Sequence, residues 1–108
     1  MGAIMRLCIT PMPERAVHFR ADDVRVSFTG VEGGLESLSG RPLAFELCGE
    51  TQESCRFAEA TVSAGDVILS GDGRPKSRVR YAWADSPMVN TYDARAISLP
   101  GFEIAIGP

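Results

Sequence analysis

Residues 78–102 read RVRYAWADSPMVNTYDARAISLPGF, and the side-chain alternation at the start of this stretch decides the fold class. Val79, Tyr81 and Trp83 fall on one side of an extended segment, with Arg80, Ala82 and Ala84 on the other. A Tyr and a Trp two residues apart bury a large apolar area and fill a sheet-on-sheet core. The same pair, turned outward, would make a platform for stacking a sugar ring. Asp85, Ser86 and Pro87 then break the strand. From Met88 to Ile97 no clean period is present, which reads as a long loop with at most one helical turn. Phe102, Ile104 and Ile106 alternate with Glu103 and Ala105 as a closing strand.

The same two-residue period recurs upstream. Val17 and Phe19 alternate with His18 and Arg20. Ala21, Asp22 and Asp23 make a turn, and Val24, Val26 and Phe28 alternate with Arg25, Ser27 and Thr29. This predicts a hairpin with one face in the core and His18 on the polar face. A short strand is expected near Leu35 to Leu38, and another over Leu43 to Cys48 with Phe45 and Leu47 on one face. Phe57 to Val62 and Val67 to Ser70 flank the turn sequence Ser63, Ala64, Gly65, Asp66. Gly71 to Pro75 is a further turn. Pro11 and Pro13 mark residues 1–14 as an irregular lead-in, leaving residues 15–108 as one domain. About seven short strands at roughly ten-residue spacing, with no amphipathic helix, predict an all-β fold: a single antiparallel β-sandwich, immunoglobulin-like or fibronectin-like. A small closed barrel is the competing architecture.

A chain of 108 residues suits one two-layer domain. Hydrophobic residues at 44% and charged residues at 23% are those of a folded globular protein. A net charge of −3 argues against nucleic acid as partner, because phosphate contacts need clustered Lys and Arg. The densest basic run, Arg74 to Arg80, places Arg78 and Arg80 alternately on a strand, which reads as a solvated sheet face. No apolar run approaches the ~20 residues that span a bilayer. The opening MGAIMRLCIT is too short in its apolar part for a signal peptide, so a complete chain would be cytoplasmic, the alternative being a piece of a longer precursor.

The three cysteines, Cys8, Cys48 and Cys55, lack CxxC spacing and share the chain with one histidine, which makes a poor zinc site. Cys48 and Cys55 flank a polar loop and could approach across it as a disulfide in an oxidising compartment, or remain as two reduced thiols. His18 has no nucleophile and orienting carboxylate in sequence context to make it a catalytic base. Gly33 and Gly34 form neither a dinucleotide fingerprint nor a P-loop. No cofactor is implied.

The segment VRYAWADSPMVNTYDARAISLPGFEI resembles the C-terminal segment of the sialate O-acetylesterase family. The VRYAWA-like strand corresponds to Val79 to Ala84. A following Pro-containing pair is Ser86 and Pro87, an Asn-x-Tyr-Asn-like stretch is Asn90 to Asp93, and a Leu-Pro-to-Phe ending is Leu99 to Phe102. PLAFELCG at 42–49, the piece Phe57 to Ala60 and the strand Asp66 to Ser70 follow the family's terminal β-domain in order, so the likeness covers roughly residues 22–104. In that family the chemistry belongs to a separate SGNH hydrolase domain with a Gly-x-Ser-like block and an Asp-x-x-His block. This sequence has neither. The resemblance therefore implies the accessory β-domain of a sialate O-acetylesterase without its hydrolase, a non-catalytic chain and not an enzyme.

Two readings of its role follow. The first is a scaffold or protein-interaction module, which packs against a protein partner or self-associates through an apolar docking face. The second is a carbohydrate-binding module gripping a glycan with Tyr81, Trp83, Asp85, Asn90, Tyr92, Asp93 and Arg95. Asp85, Asn90 and Asp93 also offer the oxygen ligands that calcium prefers, without any known loop spacing for that ion. Asp, Asn and Ser in such an elbow otherwise serve as turn formers.

Overall fold

A computed structural model describes residues 11–31, 33–37, 44–82, 91–93 and 101–107. These contain ten strands: β1 Met12–Phe19, β2 Asp23–Thr29, β3 Leu35–Ser37, β4 Phe45–Cys48, β5 Arg56–Phe57, β6 Ala60–Ser63, β7 Asp66–Leu69, β8 Arg78–Tyr81, β9 Thr91–Asp93 and β10 Phe102–Gly107. The one helical element among them is a 3₁₀ turn at Gln52–Ser54. No helix among the described residues is long and apolar enough to cross a membrane.

Eight strands form one mixed sheet in the order β5-β4-β8-β10-β1-β2-β7-β6, and β3 pairs with β9 in a second, two-stranded sheet. All-β is the correct class. The expected single antiparallel sandwich of about seven strands is corrected: the main body is one curled sheet of eight strands, and it is mixed, because β1 and β10, the first and last strands, run parallel side by side, Ala16 opposite Ile106 and Val17 opposite Gly107. Alternation in sequence reports which face a residue takes, not the direction of its neighbour, so this pairing has no local signature.

The sheet curls until side chains from non-adjacent strands meet. Phe45 lies opposite Tyr81, and Tyr81 opposite Phe102, in one cross-strand row over β4, β8 and β10. Their ring centroids are 4.5 Å apart for Phe45 and Tyr81 and 5.6 Å for Tyr81 and Phe102. Phe28 of β2 reaches over to Phe102 edge-on at 5.7 Å. Ala16, Val24, Val26, Leu35, Leu47, Ala60, Val67, Leu69 and Val79 complete the buried cluster.

Five further differences from the sequence expectations have local causes. In the β1–β2 hairpin, Ala16 faces Val26 and His18 faces Val24, while Val17 faces Arg25. The pairing runs unbroken from the turn, Phe19–Asp23 to Arg15–Ser27, so the turn itself sets Ala16 inward in place of Val17 and Phe19, and an irregularity lies beyond it, between Pro13 and Arg15. A bulge of this kind also lets Pro13 sit within a strand, and the strand begins at Met12 inside the expected irregular lead-in. Phe19 instead lies under the guanidinium groups of Arg20 and Arg25, a cation–π contact on the outer face. The expected strand from Phe57 to Val62 is divided into β5 and β6. The expected loop from Met88 to Ile97 contains β9, which pairs with β3 through Leu35–Asp93, Glu36–Tyr92 and Ser37–Thr91. Three residues are too few to show a period.

The turn between β6 and β7 joins Ser63 to Asp66 through Ala64 and Gly65, as the sequence predicts. The left-handed φ of 56° falls on Ala64, not on the glycine beside it. In that conformation the Ala64 carbonyl accepts a 2.8 Å hydrogen bond from the Leu35 amide, tying the small sheet to the large one. An L-residue in this region costs about 1–2 kcal/mol. Ala64→Gly is therefore expected to raise the unfolding free energy by about 0.5–1 kcal/mol; a lower urea midpoint for the variant would contradict the assignment.

Candidate functional site

Of the residues that the sequence nominates for a ligand, Tyr81, Tyr92 and Asp93 lie within the described chain, whereas Trp83, Asp85, Asn90 and Arg95 lie outside the described residues. Tyr81 is wholly buried, and its ring packs against those of Phe45 and Phe102, which also meet each other at 6.3 Å. In this arrangement it takes the core role and presents no open face to a sugar. Asp93 is 3% exposed, on β9 opposite Leu35. At this end of the sheet the backbone is tight. Ala44 and Ala82 both adopt left-handed φ, 71° and 54°, and the Ala82 amide donates to the Ala44 carbonyl at 3.1 Å. β8 ends there at Tyr81, short of the expected Ala84. A Cβ at Gly101 would sit 3.1 Å from the Ala82 carbonyl oxygen, so a side chain there would press on the Ala82 backbone.

The opposite, outer face of β4, β8 and β10 carries charge. Arg80 is in register with Glu46 on one side and Glu103 on the other. Arg78 Nη1 and Arg80 Nε both donate to Glu103 Oε2, at 2.7 and 2.9 Å. The expected solvated face is thus a correction: Arg80 is only 6% exposed, held by cross-strand ion pairing that period-two alternation does not reveal. Glu103 is pushed below the usual carboxylate range, first by the Arg80 hydrogen bond, which burial opposes, with the charges of Arg78 and Arg80 adding to it.

Arg78 also donates to the carbonyls of Gly49 and Thr51, within the loop that Cys48 and Cys55 close. These two cysteines form a disulfide. The Ser54 hydroxyl accepts from the Gly49 amide and donates to the Thr51 carbonyl, and the Cys48 carbonyl accepts from the Ser77 amide at 2.7 Å. Glu46, two residues before Cys48, brings its carboxylate within 4.8 Å of both sulfurs.

A second polar cluster pins the connection from β7 to β8. Arg56 grips Asp72 with two bonds, 2.6 and 2.9 Å, and donates to the carbonyls of Ser54 and Pro75. Lys76 Nζ reaches Asp22 at 2.6 Å and the Arg74 carbonyl at 2.8 Å. The amides of Gly71 and Gly73 donate to Asp23 and Asp22. A Cβ at Gly71 would run into the Asp22 carbonyl, which explains the glycine. The Arg56 hydrogen bonds hold Asp72 far below the ordinary carboxylate range, with the Arg74 amide adding to them. The Lys76 bond and the Gly73 amide lower Asp22. The sequence shows these residues only as turn formers and scattered charge; Asp22 and Lys76 are 54 positions apart, and no local pattern joins them.

These carboxylates stay ionised to low pH, the opposite of a group tuned as a general acid or base near neutrality. His18, the single histidine, lies exposed on β1 opposite Val24.

No family model matches the chain, and no curated protein matches it. Among solved structures, it is similar to the crystal structure of a carbohydrate acetylesterase from Xanthomonas citri, with a TM-score of 0.73 and 25% sequence identity. The match covers 88% of this chain and 22% of that one. The chain thus spans about a fifth of the esterase's length.

Glu103 has a lowered folded-state pKa, so its contribution to stability is complete above its unfolded value near ~4.3 and is lost as pH falls through the folded value. Glu103→Gln is expected to cost about 1 kcal/mol at pH 7, since solvent screens the pair while the buried Arg80 loses a partner. Urea unfolding should show this deficit shrinking as pH falls toward about 3. A deficit unchanged with pH would mean that Glu103 acts through packing rather than charge.

Proposed function

We propose that the chain is a non-catalytic accessory β-domain of the kind found beside the hydrolase domain of carbohydrate O-acetylesterases, working as a scaffold or protein-interaction module. The observation that carries this reading is the lopsided match: nearly all of this chain against about a fifth of a carbohydrate acetylesterase. The finer likeness to the sialate O-acetylesterase family rests on the Val79 to Phe102 motif, of which Val79, Tyr81 and Phe102 occupy core positions. The strand path supports an immunoglobulin-like arrangement in which β1 bridges a β6-β7-β2 layer and a β5-β4-β8-β10 layer.

A non-catalytic role is supported by the sequence, whose single histidine lies outside any Asp-x-x-His block. It is also supported by the carboxylates of Asp22, Asp72 and Glu103, each held ionised by a cation. The edge strand β5 supports the interaction reading. Phe57 on it is 75% exposed, a large apolar side chain on an open sheet edge that another chain could cover.

Three measurements on the one purified chain test this. Chromogenic acetyl esters should not be hydrolysed above background, and sedimentation should show concentration-dependent self-association that Phe57→Ser weakens. Two-dimensional NMR should show no saturable shifts with acetylated sugars. Ester turnover abolished by His18→Ala would overturn the non-catalytic reading, and a strict monomer with localised sugar shifts in residues 83–95 would replace the scaffold by a glycan-binding module.

A further inference from the structure

We propose that, once the disulfide is reduced, Cys48 and Cys55 join Glu46 in a three-ligand site for zinc. Counting cysteines and histidines along the sequence argues against such a site, because the third ligand is a carboxylate that only the fold brings in. Glu46 and Cys48 stand two residues apart on β4 and so project from the same, outer face. Cys55 immediately precedes β5, which pairs with β4 through Glu46–Phe57 and Leu47–Arg56. The carboxylate and the two sulfurs lie within 4.8 Å of one another. Zinc bonds of about 2.3 Å to sulfur and about 2.0 Å to oxygen place tetrahedral ligand atoms roughly 3.3–3.8 Å apart. The thiols reach that separation by turning about χ1 once the bond between them is gone, and the glutamate carboxylate closes in by about 1 Å through its own torsions.

The surroundings act on the ionised ligands in two directions. Burial alone opposes a Cys48 thiolate, and Arg78, its cross-strand partner, supplies the cation that counters this. The Arg78 guanidinium is itself occupied by Glu103 and the carbonyls of Gly49 and Thr51. Two thiolates and a carboxylate bring three negative charges to a dication, and the fourth coordination position is left to water.

The chemistry balances. A thiol or phosphine reductant supplies two electrons, the S–S bond breaks, and two protons from solvent complete two S–H groups. Zinc then displaces both protons to solvent as the thiolates bind, so affinity rises with pH and is lost as the solution is acidified. The oxidised chain has no thiolates to offer and does not bind.

The test uses the full chain carrying Cys8→Ser, so that only the two cysteines of the site remain, reduced with a phosphine. Competition with a chromogenic chelator should show one zinc bound per chain after reduction and none before. The cadmium form should show a sulfur-to-metal charge-transfer band. Glu46→Gln should weaken zinc at least about tenfold, the loss seen even for groups that only support metal ligands, and Cys55→Ser should abolish tight binding. Equal affinity in Glu46→Gln and its parent, or zinc binding no tighter after reduction than before, would overturn the proposal. If reduction alone unfolds the chain, zinc must restore the dispersed amide spectrum, and failure to do so would overturn it equally.

Discussion

The row of rings formed by Phe45, Tyr81 and Phe102 is the contact on which the rest of the fold depends. Their positions on neighbouring strands are set by hydrogen-bond register, and from these neighbouring positions the rings close on one another, Phe45 and Phe102 meeting at 6.3 Å. Rings this close favour offset and edge-on geometries. A flat sheet would leave their far side in water. Curling the sheet until Phe28 meets Phe102 removes that surface and, with it, brings the β2, β6 and β7 valines and leucines onto the β4, β8 and β10 core. Each such ring buries enough apolar area that its loss costs about 3–5 kcal/mol, a large part of the 5–15 kcal/mol that holds a small domain folded.

The polar face obeys a different constraint. A burial of Arg80 without partners would be prohibitive, and the cross-strand carboxylate of Glu103 resolves it by lying in register on β10. The connection between β7 and β8 is likewise held by hydrogen bonds rather than by apolar packing, with Arg56, Asp72, Asp22 and Lys76 each satisfied by more than one partner. That places rigidity in a segment whose sequence, SGDGRPKS, has the composition of a pliable turn.

What the sequence reveals follows from what is local. The hairpin turn at Ser63 to Asp66, the alternation in β2 and β10, and the apolar side of Val79 and Tyr81 are all encoded by neighbours within a few positions, and the structure has them. The Cys48–Cys55 pairing was one of two readings open from spacing, and the structure has the bonded one. Three kinds of feature escape. The turn over residues 20–22 sets the β1–β2 register so that Ala16 rather than Val17 faces inward, and one residue of register decides which face every side chain takes. β9 is defined by its partner β3 rather than by its own residues. The ion pairs join positions that only folding brings together, as with Arg25 and Asp66, 41 residues apart at 2.7 Å. Of the residues nominated for a ligand, the backbone pattern could place Tyr81 in the core but could not say that Asp93 would be buried.

The parallel pairing of β1 with β10 bears on how the domain would respond to mechanical load. The two strands run the same way and are bonded along Ala16–Ile106 and Val17–Gly107. Chain therefore enters β1 at one end of the pair and leaves β10 at the other. Tension transmitted through those two ends pulls the strands past each other, so that their hydrogen bonds bear the force together instead of opening one after another like a zip.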